Sequence, residues 1–141
     1  KKEANSKFLR RKSFEKIEEE LYFYKDEMQA EYLYFWSDTF FSWKRDEFYK
    51  FCDIYEGIKL PFWIQTRPET VKYDLFKKLK EIGCHRISFG VECGNEEFRI
   101  KILKRKPTNE QVIQAFKIIE KSKIAFSLNL IIGFLITIKI F

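Results

Sequence analysis

Four short apolar segments, separated by stretches of helical periodicity, most constrain what this 141-residue chain can fold into. They cover residues 32–36, 62–65, 87–92 and 126–132. Between them, apolar residues recur every three or four positions, which predicts amphipathic helices. Strands that are apolar throughout and alternate with such helices indicate a parallel sheet covered by helices. The pattern repeats at roughly 25 to 40 residues, the length of a βαβ unit, so we predict a single α/β domain.

Five helices are predicted from the same periodicity, and local signals mark several of their ends. They cover residues 14–28, 44–56, 71–82, 96–104 and 108–119. Gly57 and Gly83 are placed to end the second and third helices, since glycine readily adopts the left-handed conformation of a C-cap. Thr108 and Gln111 have the spacing of a capping box at the start of the fifth helix. Ser13 is the expected N-cap of the first helix.

Composition and charge narrow the classes of function. The net charge is +6, but the lysines fall mostly on predicted helix faces, which indicates a solvated surface rather than a nucleic-acid interface. Cys52, Cys84 and Cys93 match neither a zinc pattern nor a disulfide framework, so we expect free thiols in a reducing, cytoplasmic compartment. His85 is the one histidine. Without more histidines or clustered cysteines, the chain cannot build a zinc or iron site alone.

Polar residues stand where the predicted strands end. These residues are Ser37, Asp38, Thr66, Arg67, Glu92, Cys93 and Gly133. Ligands of parallel α/β sheets bind at the carboxyl ends of the strands, so we predict that these side chains converge on one mouth. Glu92 is the strongest candidate, because it continues an apolar strand and burying an unpaired carboxylate is costly. It needs hydrogen-bond donors, and the hydroxyls or amines of a ligand could supply them.

Simpler interpretations of the same residues stay open at this point. Asp38 suits an N-cap or a turn as well as a ligand contact. Arg67 and Glu69 flank a proline and could form a local surface ion pair. Cys93 is better explained as a small buried apolar residue than as a nucleophile. His85 lies at the amino end of its strand, away from the predicted mouth, which favours a structural role.

Four motifs in order resemble the strands of radical S-adenosylmethionine (radical SAM) enzymes, in the subgroup that often carries a cobalamin-binding domain. Residues 34–40, Tyr-Phe-Trp-Ser-Asp-Thr-Phe, resemble the second-strand motif, with Ser37 in place of its first aspartate. Residues 61–69 resemble the third strand. Residues 90–96, followed by Arg99, Leu103 and Arg105, resemble the fourth strand and its helix, with Cys93 where serine is usual. Residues 129–133 resemble the fifth strand.

The resemblance implies a partial, six-stranded TIM-type (β/α) barrel, of which residues 1–141 hold about four β/α units, from the second to the fifth strand. It also implies cofactor-binding roles. Ser37 and Asp38 would contact the methionine amino group of S-adenosylmethionine, and Glu92 the ribose hydroxyls. Asn129, Ile131 and Gly133 would lie against the adenine. Arg67 would meet the cofactor carboxylate or the substrate.

The activity implied for the full-length protein needs parts that we do not find here. S-adenosylmethionine beside a four-iron four-sulfur cluster would yield a deoxyadenosyl radical or transfer a methyl or methylthio group, with cobalamin as a further cofactor in a separate domain. The family's Cys-x-x-x-Cys-x-x-Cys loop would precede Lys1, and the sixth strand would follow Phe141. The start is charged, with neither Met nor a signal peptide. We therefore expect an internal fragment, inactive and unable to bind a cluster alone.

The isolated piece is expected to depend on the remainder of its parent chain, because its two unpaired sheet edges would favour aggregation. The substrate, small or macromolecular, cannot be read from the sequence.

Three other functions are compatible with the sequence besides the radical SAM interpretation. One is an RNA-modifying or RNA-binding module, which strong salt dependence would reveal. Another is a non-radical barrel enzyme that uses Glu92 and Asp38 in acid–base chemistry. The third is a membrane anchor over residues 124–141, although Asn129 and Lys139 interrupt it. Neither a nucleic acid nor a membrane is the expected partner.

Overall fold

A single parallel sheet of four strands, in the order β1-β2-β3-β4, organises the part of the chain that the structure describes, residues 12–37 and 39–134 of this computed structural model. The strands are β1 (Leu33–Phe35), β2 (Phe62–Thr66), β3 (Cys84–Glu92) and β4 (Ala125–Leu130). The helices are α1 (Phe14–Tyr22), α2 (Arg45–Ile58), α3 (Tyr73–Glu81), α4 (Glu96–Lys101) and α5 (Asn109–Ser122). A π-helical turn over Phe23–Glu27 extends α1, and 3₁₀ turns cover Phe40–Ser42 and Pro68–Thr70. The predicted fold, an incomplete parallel (β/α) barrel, is confirmed.

The helices cover one face of the sheet, as expected for part of a (β/α) barrel. In β2, Phe62 and Ile64 are fully buried, and the alternate residues Trp63 and Gln65 are only half-buried. This alternation arises because right-handed β-α-β connections place all the helices on the same side of a barrel sheet. The opposite face is the one that would line the interior of a barrel.

Aromatic rings fill the space between the sheet and the first helices. The ring of Phe35 lies 5.5 to 5.9 Å from those of Phe40, Phe51, Tyr55 and Phe62, centre to centre. Edge-to-face pairs of this kind add about 0.5–1.5 kcal/mol each to the burial of apolar area. The high aromatic content, 18% of residues, therefore serves the core.

Three of the helix ends predicted from the sequence are confirmed. Ser13 Oγ accepts a hydrogen bond from Lys16 N at 3.2 Å at the start of α1. Thr108 and Gln111 form the predicted capping box, with Gln111 Oε1 accepting from Thr108 N at 2.9 Å. Gly83 follows α3 at φ +104°, a conformation that side chains rarely adopt.

Gly57 was predicted to end the second helix, and this was wrong. It lies inside α2, which continues to Ile58 and is capped by Lys59 at φ +59°. A Cβ built on Gly57 would lie 2.5 Å from the hydroxyl oxygen of Tyr22. The side chain of Tyr22 in α1 thus lies close to this position, a contact that its neighbours in the sequence do not reveal.

The fourth strand is shorter and more exposed than predicted. It ends at Leu130 rather than residue 132, and Leu128 and Leu130 are 43% and 55% exposed. Residues 125–130 therefore form a strand rather than the first part of a membrane anchor. Among the described residues, no helix has both the length and the apolar character needed to cross a bilayer. The last part of the suggested anchor, residues 135–141, lies outside the described chain.

Candidate functional site

A small cleft of about 230 Å³ opens at the carboxyl ends of the strands. Its lining residues are Gln65, Thr66, Arg67, Gly90, Glu92, Arg105 and Asn129. Four of the residues predicted from the sequence therefore share one cleft: Thr66, Arg67, Glu92 and Asn129. Asn129 reaches it because β4 pairs with β3 in a register that sets Asn129 opposite Gly90.

Glu92 ends β3 in an unusual backbone conformation. Its φ is +67°, and the pairing of β3 with β4 shifts register between Gly90 and Glu92. A residue with a side chain pays roughly 1–2 kcal/mol for this left-handed conformation. Such conformations cluster at functional sites, although Lys59 and Lys123 adopt similar φ values as helix C-caps. The conformation turns the Glu92 side chain back over Gly90, where an added Cβ would lie 2.6 Å from Glu92 Oε1.

Arg105 is the partner of Glu92, and sequence reasoning did not assign it to the site. Its Nη1 lies 3.3 Å from Glu92 Oε1, and its Nη2 donates to Gly90 O at 2.9 Å. Nη2 also lies 3.7 Å from Glu69 Oε1. The predicted need of Glu92 for a donor was sound, but the chain itself supplies one. The turn that follows α4 returns Arg105 to the strand end, and no local pattern in the sequence indicates that return.

Only one oxygen of the Glu92 carboxylate is engaged. Among the described residues, Oε2 of Glu92 receives no hydrogen bond, and it is not among the buried polar atoms that lack a partner. The side chain of Glu92 is 25% exposed. The cleft therefore offers one oxygen that is fixed by a guanidinium and one that is accessible to a ligand.

Arg67 does not pair with Glu69, so the local ion pair considered for these two residues is absent from the described structure. The Arg67 carbonyl accepts from Thr70 N at 3.0 Å and from Thr70 Oγ1 at 2.7 Å. These bonds hold the 3₁₀ turn after β2 and direct the chain past the cleft. Glu69 lies near Arg105 instead.

The remaining predicted positions divide between three places. Ile131 N donates to Glu92 O at 2.9 Å, which holds residue 131 beside the end of β3. Gly133 follows at φ +87° with no described atom within 4 Å of an added Cβ. Ser37 lines a separate cavity of about 510 Å³ between α1 and β1. Asp38 lies outside the described residues. The cofactor-binding roles predicted for these four residues stay predictions.

The cysteines do not form a metal site in the described part of the chain. Cys52 and Cys84 are buried, and burial raises the pKa of both thiols to about 12. Thiols with so high a pKa remain protonated and are poor metal ligands. No group of three His, Cys, Asp or Glu side chains among the described residues could hold a metal ion. These residues therefore do not fit an iron–sulfur cluster, whose ligands would have to come from elsewhere.

His85 lies at the amino end of β3, as expected, whereas the cleft is at the carboxyl end. It therefore has no acid–base role at the cleft. Its Nδ1 lies 3.1 Å from the hydroxyl oxygen of Tyr32, and the two rings meet edge to face at 5.8 Å. This pair links the loop before β1 to the start of β3. The arrangement supports the structural role predicted for the histidine.

Comparison with known proteins agrees with this architecture. Two solved structures of the cobalamin-dependent S-adenosylmethionine radical enzyme OxsB, one with aqua-cobalamin and one with aqua-cobalamin and S-adenosylmethionine bound, match with a TM-score of 0.72. The identity is 18%, and the match covers 84% of this chain but 19% of the enzyme. It shows a shared fold over about a fifth of that enzyme's length. No curated protein matches this chain.

The family assignment rests on the sequence itself. The family model described as "Radical SAM superfamily" matches residues 3–139, nearly the whole chain. The four parallel strands and the polar cleft at their carboxyl ends agree with it. The chain belongs to the radical SAM superfamily.

Proposed function

We propose that this chain forms the S-adenosylmethionine-binding wall of a radical SAM enzyme. The observation that carries the proposal is the cleft in which Arg67, Glu92 and Asn129 meet at the strand ends. A zwitterionic nucleoside needs a carboxylate, a cation and an amide within reach of one another. The cleft supplies all three, and the backbone at Glu92 is held in a conformation that would not persist without a reason.

Each residue has a defined task in this proposal. Glu92 Oε2 accepts a hydrogen bond from a ribose hydroxyl, since an ionised carboxylate has acceptor sites on both oxygens. Asn129 and the chain around Ile131 lie along the adenine. Arg67 pairs with the carboxylate of the methionine moiety. Ser37 lines a separate cavity beside β1, so the contact proposed for Ser37 and the neighbouring Asp38 with the amino group requires the ligand to extend beyond the cleft.

The chemistry follows from this placement. Bound beside a four-iron four-sulfur cluster, which would supply one electron, S-adenosylmethionine would yield a deoxyadenosyl radical and methionine; alternatively it would donate a methyl group, or the methyl part of a methylthio group whose sulfur comes from another donor. The residues of this chain orient the nucleoside and shield it from water. The cluster ligands belong to another part of the full-length protein, because the described residues do not fit them. The fold shared with a cobalamin-dependent enzyme supports cobalamin as a second cofactor of the full-length protein.

Binding of S-adenosylmethionine to the full-length protein, measured anaerobically by calorimetry, tests the proposal. A hydrogen bond to a charged group contributes about 1.5–3 kcal/mol, so we expect Glu92→Gln to raise Kd roughly 10- to 100-fold. Glu120→Gln is the matched control, because Glu120 is exposed on α5 and away from the cleft. Equal Kd values for the Glu92 variant and the unchanged protein would contradict the proposal.

A further inference from the structure

We propose that Arg105 is a positioning residue that fixes the orientation of the Glu92 carboxylate, and thereby sets the preference for a ribose over a 2′-deoxyribose. This inference rests on the proposed function. It adds a residue outside the cofactor contacts implied by the family resemblance. Arg105 lines the same cleft, and in this proposal it acts through Glu92.

The guanidinium of Arg105 joins the side chain and the backbone of the same strand end. Nη1 lies 3.3 Å from Glu92 Oε1, while Nη2 donates to the carbonyl oxygen of Gly90 at 2.9 Å. A small rotation of the Glu92 carboxylate would lengthen the first contact, while the second holds the guanidinium in place. Planar, forked donors are suited to fixing a carboxylate in one orientation.

Gly90 confines the same carboxylate from the other side. Glu92 Oε1 lies 2.6 Å from the position that a Cβ on Gly90 would occupy. The oxygen can rest there only because position 90 has no side chain. Glu92 Oε1 is thus held between Arg105 and Gly90, and Oε2 is left without a hydrogen bond among the described residues.

Arg99 and Arg105 differ in how fully their guanidinium groups are hydrogen-bonded, and this difference distinguishes a structural arginine from one that positions a side chain. Arg99 is 1% exposed, and its Nε, Nη1 and Nη2 all donate, to Pro107 O, Cys93 O and Asn109 Oδ1 among others. Arg105, in contrast, has a buried Nε without a partner. A buried donor without a partner is costly, and each case in a native structure calls for an explanation. Placement of the Glu92 carboxylate explains why an arginine stands there.

The consequence concerns specificity more than affinity. A fixed carboxylate distinguishes a ligand that carries the hydroxyl from one that lacks it, because the missing hydroxyl leaves a charged acceptor unpaired. A carboxylate that is free to turn finds water or Arg67 instead and discriminates less. Loss of Arg105 should therefore reduce the preference for the ribose while the binding of the 2′-deoxy ligand changes little.

The test uses the full-length protein with S-adenosylhomocysteine and its 2′-deoxy analogue, which need no reductive cleavage. We expect the unchanged protein to prefer the ribose form by about tenfold or more. Arg105→Met should lower this preference at least about fivefold, and Arg105→Lys, which keeps the charge without the fork, should restore it only in part. Gly90→Ala, with Arg105 intact, should lower it as well. Lys101→Met, on the exposed side of α4, is the control.

Each outcome decides between the two proposals. If the unchanged protein does not bind the ribose ligand or shows no preference, the proposed function fails. If it shows the preference and a folded Arg105→Met keeps it, the positioning role is wrong while the function stands. If Arg105→Met does not fold, Arg105→Lys and Gly90→Ala decide, and an unchanged preference in both overturns the positioning role.

Discussion

The aromatic core and the strand-end cleft lie within a few residues of each other but differ in burial, polarity and backbone conformation. In the core, Phe51, Phe62 and Phe89 are 1% exposed or less, and their contacts are apolar. At the cleft, Glu92 has a left-handed backbone and Arg105 has a buried donor without a partner. The core maximises packing, whereas the cleft retains strain and unpaired polar atoms. The difference shows that close apolar packing and accessible polar groups occupy separate layers of the same sheet.

This separation has a physical reason. The side chains of β2 and β3 that face the helices are surrounded by other apolar groups, so close packing stabilises them. The residues just beyond the strand ends leave the sheet, and their polar groups must find partners in the loops or in a ligand. A site can therefore be strained at its rim without loosening the core below it. Four predictions test how far the separation extends.

The largest effect is expected from removing a ring at the centre of the core. Phe51 lies 4.8 to 5.6 Å from the rings of Phe35, Phe40, Trp43 and Tyr55. Phe51→Ala should lower the free energy of unfolding by about 3–5 kcal/mol, since it leaves a cavity. Phe51→Leu, which fills most of that volume, should cost about 1 kcal/mol. Urea denaturation measures both, and similar losses in the two variants would contradict the packing argument.

Next comes Arg99, the buried arginine that connects the end of β3 to the start of α5. Arg99→Met leaves the carbonyl oxygens of Cys93 and Pro107 without these donors. We expect a loss of about 3 kcal/mol in the free energy of unfolding, because buried unpaired acceptors cost about 1–3 kcal/mol each. Lys101→Met, at an exposed position on α4, should change it by less than about 0.5 kcal/mol. A cost near that of the control would mean that water replaces the lost donors.

The buried thiols should make the core sensitive to alkaline pH. Burial raises the pKa of Cys52 and of Cys84 to about 12, from 9.0. Between these values the unfolded chain releases protons that the folded chain retains. The stability is therefore complete below about pH 9 and falls as pH rises, by up to about 1.4 kcal/mol per pH unit for each thiol. Cys52→Ala should make the slope shallower between pH 9 and 10.5, and an unchanged slope would contradict this origin.

The smallest predicted difference isolates the strain at Glu92. Glu92→Gly and Glu92→Ala both remove the carboxylate, but only glycine adopts φ +67° without a penalty. We expect the glycine variant to be more stable than the alanine variant by about 1 kcal/mol. At Lys117, exposed within α5, the same pair should show the reverse order by about the same amount, since glycine weakens helices. Thermal unfolding compares the four variants, and the same order at both positions would rule out strain at Glu92.

The sequence alone determined the alternation of strands and helices, the parallel sheet and the edge at which Glu92 would lie. It also determined the caps at Ser13 and Thr108 and the turn at Gly83. These features depend on residues a few positions apart, where helical periodicity, capping distances and glycine's conformational freedom act directly. The family motifs belong to the same class of information, because each of them spans a single strand and its end.

Only the tertiary structure decided which groups meet. Arg105 pairs with Glu92 because the turn after α4 folds back, and Gly57 lies within α2, where the Tyr22 hydroxyl of another helix is close to it. Ser37 lines a different cavity from Glu92, because β1 is separated from β3 by an intervening strand. Such contacts join residues that are distant in the chain, and their free energies depend on the complete packing. Local patterns predict where a polar residue emerges from the sheet, whereas the packed chain selects its partner.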